Sequence, residues 1–212
     1  MKTSEADIIR EYGPFPGVEA VHGVTYDGSH VWFASGDRLN ALDPLSGETV
    51  RALDTVAVAG TAFDGQNFYQ IAAHLIHKID AKTGAVLSSI PAPEGGAAGM
   101  TWAEGTLWVG QHRARKIHQI DPETGKILRT IESNRFVTGV TWVDGELWHA
   151  TWENDESEIR HVDQGTGEVL EKIAMPAGKN ISGMEACGDR FFCGGGSTGK
   201  VRAVRRPRTA GK

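Results

Sequence analysis

Apolar and polar residues alternate along this chain in short runs, with no sustained helical spacing. At 139–149 the runs Gly-Val-Thr-Trp and Glu-Leu-Trp-His, rich in β-branched and aromatic residues, flank the turn Asp144-Gly145. That is a β-hairpin signature. It recurs from Gly23-Val24-Thr25-Tyr26 to Trp32, Gly60-Thr61-Ala62-Phe63 to Tyr69, Gly99-Met100-Thr101-Trp102 to Trp108, and Gly183-Met184-Glu185-Ala186 to Phe192. In all five copies the leading glycine and the last aromatic are nine positions apart. A second module follows the first four copies: Asp43-Pro44-Leu45-Ser46-Gly47, Asp80-Ala81-Lys82-Thr83-Gly84, Asp121-Pro122-Glu123-Thr124-Gly125 and Asp163-Gln164-Gly165-Thr166-Gly167. Aspartate bonds backbone N–H groups inside such a turn, and glycine takes positive φ where the next strand begins. Each repeat therefore predicts two hairpins.

Four strands every 37 to 44 residues is the period of a propeller blade. The fifth repeat stops after Val201-Arg202-Ala203-Val204 and lacks an outer strand. Ile8-Ile9-Arg10-Glu11-Tyr12 resembles the outer strands Ile127-Leu128-Arg129-Thr130-Ile131 and Val169-Leu170-Glu171-Lys172-Ile173. The expectation is an all-β, five-bladed β-propeller over residues 1–206, closed by the N-terminal strand completing blade five, with a basic flexible tail at 207–212. Closure removes the free sheet edges.

Composition narrows the classes. The 212 residues are 40% hydrophobic and 23% charged, which fits a foldable globular chain. The 27 glycines are about twice the usual share, as many tight turns require. No apolar stretch approaches a membrane span of about 18 residues. The start, Met1-Lys2-Thr3-Ser4-Glu5-Ala6-Asp7, has acids where a secretory signal needs an apolar run. The net charge of −5 argues against general nucleic-acid binding. Cys187 and Cys193 fall on opposite faces of one hairpin, so free thiols and a cytoplasmic location are expected. The expected assembly is a monomer that contacts neither nucleic acid nor membrane.

Function is expected on the face whose connections vary. The turn spacings on one face are constant. On the other, the distance from the second-strand aromatic to the turn aspartate is 11 residues in blades one and two, 13 in blade three and 15 in blade four. Insertions on one face of a repeat array mark its binding face. There His22 precedes the leading glycine where other blades have Ala59, Ala98, Thr138 and Ser182. Gln111, His112, Arg113 and Arg115 occupy the blade-three loop, Trp152 and Glu153 the blade-four loop, and Asn180 precedes blade five. Hairpin pairing sets Ala98 opposite Gln111 and Val137 opposite Trp152, so both side chains are expected at the channel mouth. Gly194-Gly195-Gly196-Ser197-Thr198-Gly199 lacks a following helix and reads as a flexible top loop of blade five.

Two departures lie within strands. Glu185 stands where other blades have Thr25, Ala62, Thr101 and Thr141. A lone buried carboxylate needs a cation, a metal, a raised pKa or backbone amides around it. His149 replaces Phe33, Val109 and Cys193, either as a site residue or as a satisfied core histidine. His77, His118 and His161 fit ordinary third-strand positions.

The expected catalytic set is His22, His112, Glu185 and Glu153, with Gln111, Arg113, Trp152, His149 and Asn180 binding substrate. Imidazoles and carboxylates at one mouth suit proton transfer or a divalent metal, although no HxH or HExxH spacing points to a metal. Arg113 and Arg115 either hold an anionic group of a small-molecule substrate or pair with Asp155, Glu156 and Glu158.

The repeat Gly-Val-Thr-x-x-Asp/Glu-Gly-x-Leu-Trp, followed by Ile-x-x-Ile-Asp-Pro-x-Thr-Gly, resembles the blades of streptogramin (virginiamycin B) lyases. It is also similar to glutaminyl-peptide cyclotransferases. The likeness covers residues 20–206, and His22-Gly23-Val24 resembles a His-Gly-Ile segment of the lyase blades. Lyases of that type have seven blades and the cyclotransferases are expected to be larger as well, against five counted here. The resemblance implies a small-molecule enzyme acting at the channel top, by proton abstraction with elimination or by intramolecular cyclisation. The alternative is a non-catalytic propeller that binds a ligand or protein through the same face.

Overall fold

A computed structural model describes residues 1–207, so most of the expected basic tail (residues 208–212) lies outside the described residues. Five small sheets form a five-bladed propeller. Blade one is Val24–Tyr26, Val31–Ala34, Gly36–Leu42 and Thr49–Ala57; blade two is Thr61–Phe63, Asn67–Ala72, Leu75–Asp80 and Val86–Pro91. Blade three is Ala97–Ala103, Thr106–Gln111, Lys116–Ile120 and Ile127–Glu132; blade four is Val137–Val143, Glu146–Glu153, Glu156–Val162 and Val169–Ala174. Blade five is Gly183–Cys187, Arg190–Gly194 and Val201–Arg205, completed by Ile8–Tyr12. Ile8 pairs with Val204 and Tyr12 with Val201, so the N-terminal strand closes the ring as the sequence implied. Among the described residues no helix is long and apolar enough to cross a membrane.

One strand goes beyond the sequence expectation. Lys2–Glu5 adds to blade four, parallel to its outer strand, with Lys2 opposite Glu171 and Glu5 opposite Ala174. The N-terminal segment thus crosses from blade four to blade five within a few residues. Lys2-Thr3-Ser4-Glu5 is polar and shows no apolar alternation, so its pairing left no trace in the pattern.

The apolar core lies between blades as five separate layers. Trp148 and Phe191 meet between blades four and five, Trp32 and Phe68 between one and two, and Tyr12, Phe33 and Phe192 between five and one. The other two layers join blades two and three, around Tyr69 and Met100, and blades three and four, around Trp108 and Val140. Cys193 packs on the blade-four side of its strand and Cys187 on the blade-one side, and both thiols are free. The turn aspartates behave as expected: Asp121 Oδ1 accepts from the N–H groups of Glu123 (3.0 Å) and Thr124 (2.8 Å).

The five leading glycines form a closed ring at the axis. A Cβ on Gly23 would lie 2.8 Å from Gly60 Cα, one on Gly99 2.5 Å from Gly139 Cα, and one on Gly183 2.8 Å from Gly23 Cα. None of the five has positive φ. Glycine recurs there because adjacent backbones approach too closely for any side chain.

Candidate functional site

Every inner strand enters the ring from the residue before its leading glycine. Those five residues, His22, Ala59, Ala98, Thr138 and Ser182, together border a cavity of about 570 Å³ at the top of the propeller. Ala59 and Ala98 are too short to fill the mouth, which leaves a largely apolar floor. His112 and Trp152 wall it from the blade-three and blade-four hairpins, and Asn180, Gly196 and Ser197 from the approach to blade five and its loop.

The polar groups around this cavity differ in how much of their hydrogen-bonding capacity is already used. Ser182 Oγ donates to Val21 O (2.6 Å) and accepts from Gly196 N (3.1 Å), so it fastens the blade-five loop. Val21 N also bonds Gly196 O at 3.0 Å, and Gly195 N bonds Lys200 O at 2.8 Å. The Gly194–199 segment, expected as a free loop, is therefore pinned to the mouth. The rings of His22 and His112 make no hydrogen bond to the protein among the described residues. Burial lowers the pKa of His22, and burial together with the Arg113 charge lowers that of His112, so both rings are neutral near pH 7. Phe136 supports His112, with ring centroids 4.6 Å apart. Thr138 is 5% exposed, and its hydroxyl has no partner among the described residues.

The blade-four insertion is a longer hairpin rather than a longer loop. Its second and third strands run to Glu153 and from Glu156, joined by Asn154 and Asp155 with φ of 55° and 61°. The hairpin carries Trp152, 39% exposed, to the cavity edge. Register near the mouth differs by one residue from the sequence expectation. Ala97, not Ala98, pairs with Gln111, and Val137 pairs with Thr151, not Trp152. Irregularities between Ala97 and Met100 and between Val137 and Gly139 absorb one residue each. Gln111 consequently turns inward, where its Nε2 donates to Glu94 O and its Oε1 lies 2.9 Å from His118 Nε2.

The remaining expected site residues lie apart from the cavity lining. Glu153 borders a smaller side cavity with His112 and Trp152 and is held by Arg115 and Arg135. Arg113 is exposed, with no ion pair among the described residues. His149 faces a cleft between blades three and four with Arg160 and Asn134. Its Nδ1 is unpartnered among the described residues, and burial lowers its pKa to about 3.

Glu185 lies two residues past Gly183, on the far side of the glycine ring from the mouth. Its carboxyl group accepts from the hydroxyls of Thr25 (3.2 Å), Thr101 (3.4 Å) and Thr141, and from Ala186 N (3.0 Å). Burial raises its pKa to about 7, against the lowering effect of those donors. The structure therefore brings His22, His112, Trp152 and Asn180 to one cavity and leaves Glu185 and His149 in other layers. Among the described residues no three His, Cys, Asp or Glu side chains converge as a metal cage requires. Thr138 was visible in the sequence only as one of the five residues preceding the leading glycines.

No family model matches the chain, and no curated protein matches it. Among solved structures it is similar to a Myxococcus xanthus glutaminyl cyclase, with 17% identity and a TM-score of 0.78 over 96% of this chain and 97% of that chain. That match runs end to end, which corrects the expectation that cyclotransferases of this kind are larger. The chain also resembles the WD40 propeller domain of Doa1 (17% identity, TM-score 0.56, 87% of this chain and 63% of that chain). A third likeness is to Kuenenia stuttgartiensis hydrazine synthase (16%, TM-score 0.53, 83% of this chain and 55% of that chain). At these identities the likeness establishes the fold.

Proposed function

We propose that this propeller is a small-molecule enzyme working in the top cavity, and that it cyclises an amide through an amine of the same molecule with loss of ammonia. One observation carries the reading: two neutral imidazoles with unused ring nitrogens face a cavity with a largely apolar floor. The amine nitrogen attacks the amide carbon and forms the new C–N bond. His22 takes the proton that the attacking nitrogen sheds. It returns that proton to the departing nitrogen, which leaves as ammonia as the old C–N bond breaks. His112 donates a hydrogen bond to the carbonyl oxygen, where negative charge develops. Trp152 covers the bound molecule.

Elimination by proton abstraction from carbon is less well served. A carbanion needs nearby positive charge, and among the described residues no Lys or Arg borders the cavity. Amide cyclisation needs only a proton carrier with a pKa near neutrality. The end-to-end likeness to a glutaminyl cyclase supports the same choice. Among the described residues no carboxylate borders the cavity to hold an ammonium group, which favours entry of the amine in its uncharged form. Activity then rises with pH toward the free amine's pKa, roughly 8.

The test is ammonia release from a short peptide with N-terminal glutamine. His22→Ala is expected to lower the rate by roughly 10²–10⁴ without moving the melting temperature. A wild-type protein that releases no ammonia contradicts the reading. The floor of Ala59, Ala98 and Val58 also suits a non-catalytic ligand-binding propeller, in which case binding survives without turnover.

A further inference from the structure

Among the described residues the cavity lining contains no Asp, Glu, Lys or Arg. Five blades meet at this mouth, and the chain carries 22 basic and 27 acidic residues, so a mouth without charge is a specific feature. Glu153 is held by Arg115 and Arg135 beside the neighbouring side cavity, and Arg113 is exposed outside the lining. Of the other charged residues adjacent in sequence to the lining, Lys179 pairs with Glu11 (3.1 Å) and Glu19 is exposed outside the lining. Arg202, behind the blade-five loop, is spent on Glu11 (2.8 Å) and on Asn180 O (3.1 Å).

The polar groups that do border the cavity are neutral and largely uncommitted. The rings of His22 and His112 and the side-chain amide of Asn180 make no hydrogen bond to the protein among the described residues. Among the described residues the Thr138 hydroxyl is buried without an acceptor, on a residue that borders the cavity. Ser182, at the same level of the ring, is the contrasting case, with its hydroxyl fully occupied by Val21 and Gly196. A buried donor without an acceptor is disfavoured, and an incoming acceptor relieves it. A charged ligand would lose its hydration here and gain no counter-charge from the described lining residues.

We infer that the top cavity selects an uncharged ligand bearing an amide or lactam carbonyl, whose oxygen takes the Thr138 hydroxyl and an imidazole N–H while Trp152 covers its apolar part. This names the ligand class of the site assigned above and rests on that assignment of place. It does not require turnover. It departs from the anionic substrate that Arg113 suggested in the sequence.

Three five-membered-ring probes of similar size test it with the full chain at pH 7.5: pyroglutamamide (uncharged), pyroglutamate (anionic) and prolinamide (cationic). Ligand-observed NMR titration is expected to show the uncharged lactam binding at least 10-fold tighter than either charged probe. Thr138→Val is expected to weaken lactam binding several-fold at an unchanged or higher melting temperature, with Thr138→Ser restoring it. Trp152→Ala is expected to weaken it as well. Equal or tighter binding of a charged probe, or no lactam binding at all, overturns the inference. So does a Thr138→Val protein that binds normally. Selective lactam binding without ammonia release from glutaminyl peptides would sink the catalytic reading alone. Turnover without charge selection would sink this inference alone.

Discussion

Glu185 shows how far one residue's surroundings decide its role. It shares a repeat position with Thr25, Thr101 and Thr141, and those hydroxyls turn toward it at the axis. Burial, with no cation beside Glu185 among the described residues, favours the protonated form, and its pKa rises from 4.5 to about 7. The group therefore stabilises the fold relative to the ionised state below about pH 4.5. That advantage is lost as pH rises from there through 7. The full penalty, on the order of 3 kcal/mol, is present above it. Glu185→Gln is expected to melt higher than wild type at pH 8.5 and close to it at pH 4.5. A variant that melts lower at pH 8.5 would show that the carboxylate is needed as a charge. His118 is the contrasting case, buried between Gln111 and Thr130 at 2.9 Å and 2.8 Å. His118→Ala should cost about 1–3 kcal/mol of stability through the partners it strands. It should leave probe binding in the top cavity intact.

At the scale of elements, spacing alone could not distinguish a long loop from a long hairpin. The step of 15 residues from Trp148 to Asp163 was legible as an insertion. Its form depended on Asn154 and Asp155 accepting positive φ, which closes a two-residue turn and extends both strands. Replacing both with alanine should loosen that turn and weaken binding through Trp152, with a small change in melting. The N-terminal strands separate in the same way. Ile8–Tyr12 was legible because it repeats the outer-strand pattern, whereas Lys2–Glu5 is polar. Removing residues 1–6 should lower the melting temperature slightly. Removing 1–13 also exposes the third-strand edge of blade five and loses buried Tyr12, a cost of several kcal/mol at about 1.5–3 per buried side chain. Self-association should follow. Equal melting of the two truncations would contradict the closure.

At the scale of the whole molecule, the repeat carried the fold and the glycine ring divided the candidate site. Invariant glycines were legible, but their reason, backbone contact around the axis, is a property of closure that no single hairpin displays. That ring is why Glu185 and His22 occupy separate layers although only three positions separate Glu185 from Ser182, the blade-five counterpart of His22. Gly99→Ala would bring a Cβ 2.5 Å from Gly139 Cα, and a heavily destabilised or insoluble protein is expected. Gly165→Ala, whose nearest contact is the side-chain Asp163 Oδ1 at 3.3 Å, should be mild by comparison.

The central claim is one of place: function resides in the cavity bordered by the five residues that precede the glycines. Diffraction from crystals grown with pyroglutamamide tests it most directly. The account predicts ordered density between His22, His112 and Trp152, with the lactam oxygen within hydrogen-bonding distance of Thr138 or an imidazole nitrogen. A top cavity filled only by solvent, with the ligand instead beside His149 and Arg160 in the cleft between blades three and four, would contradict it.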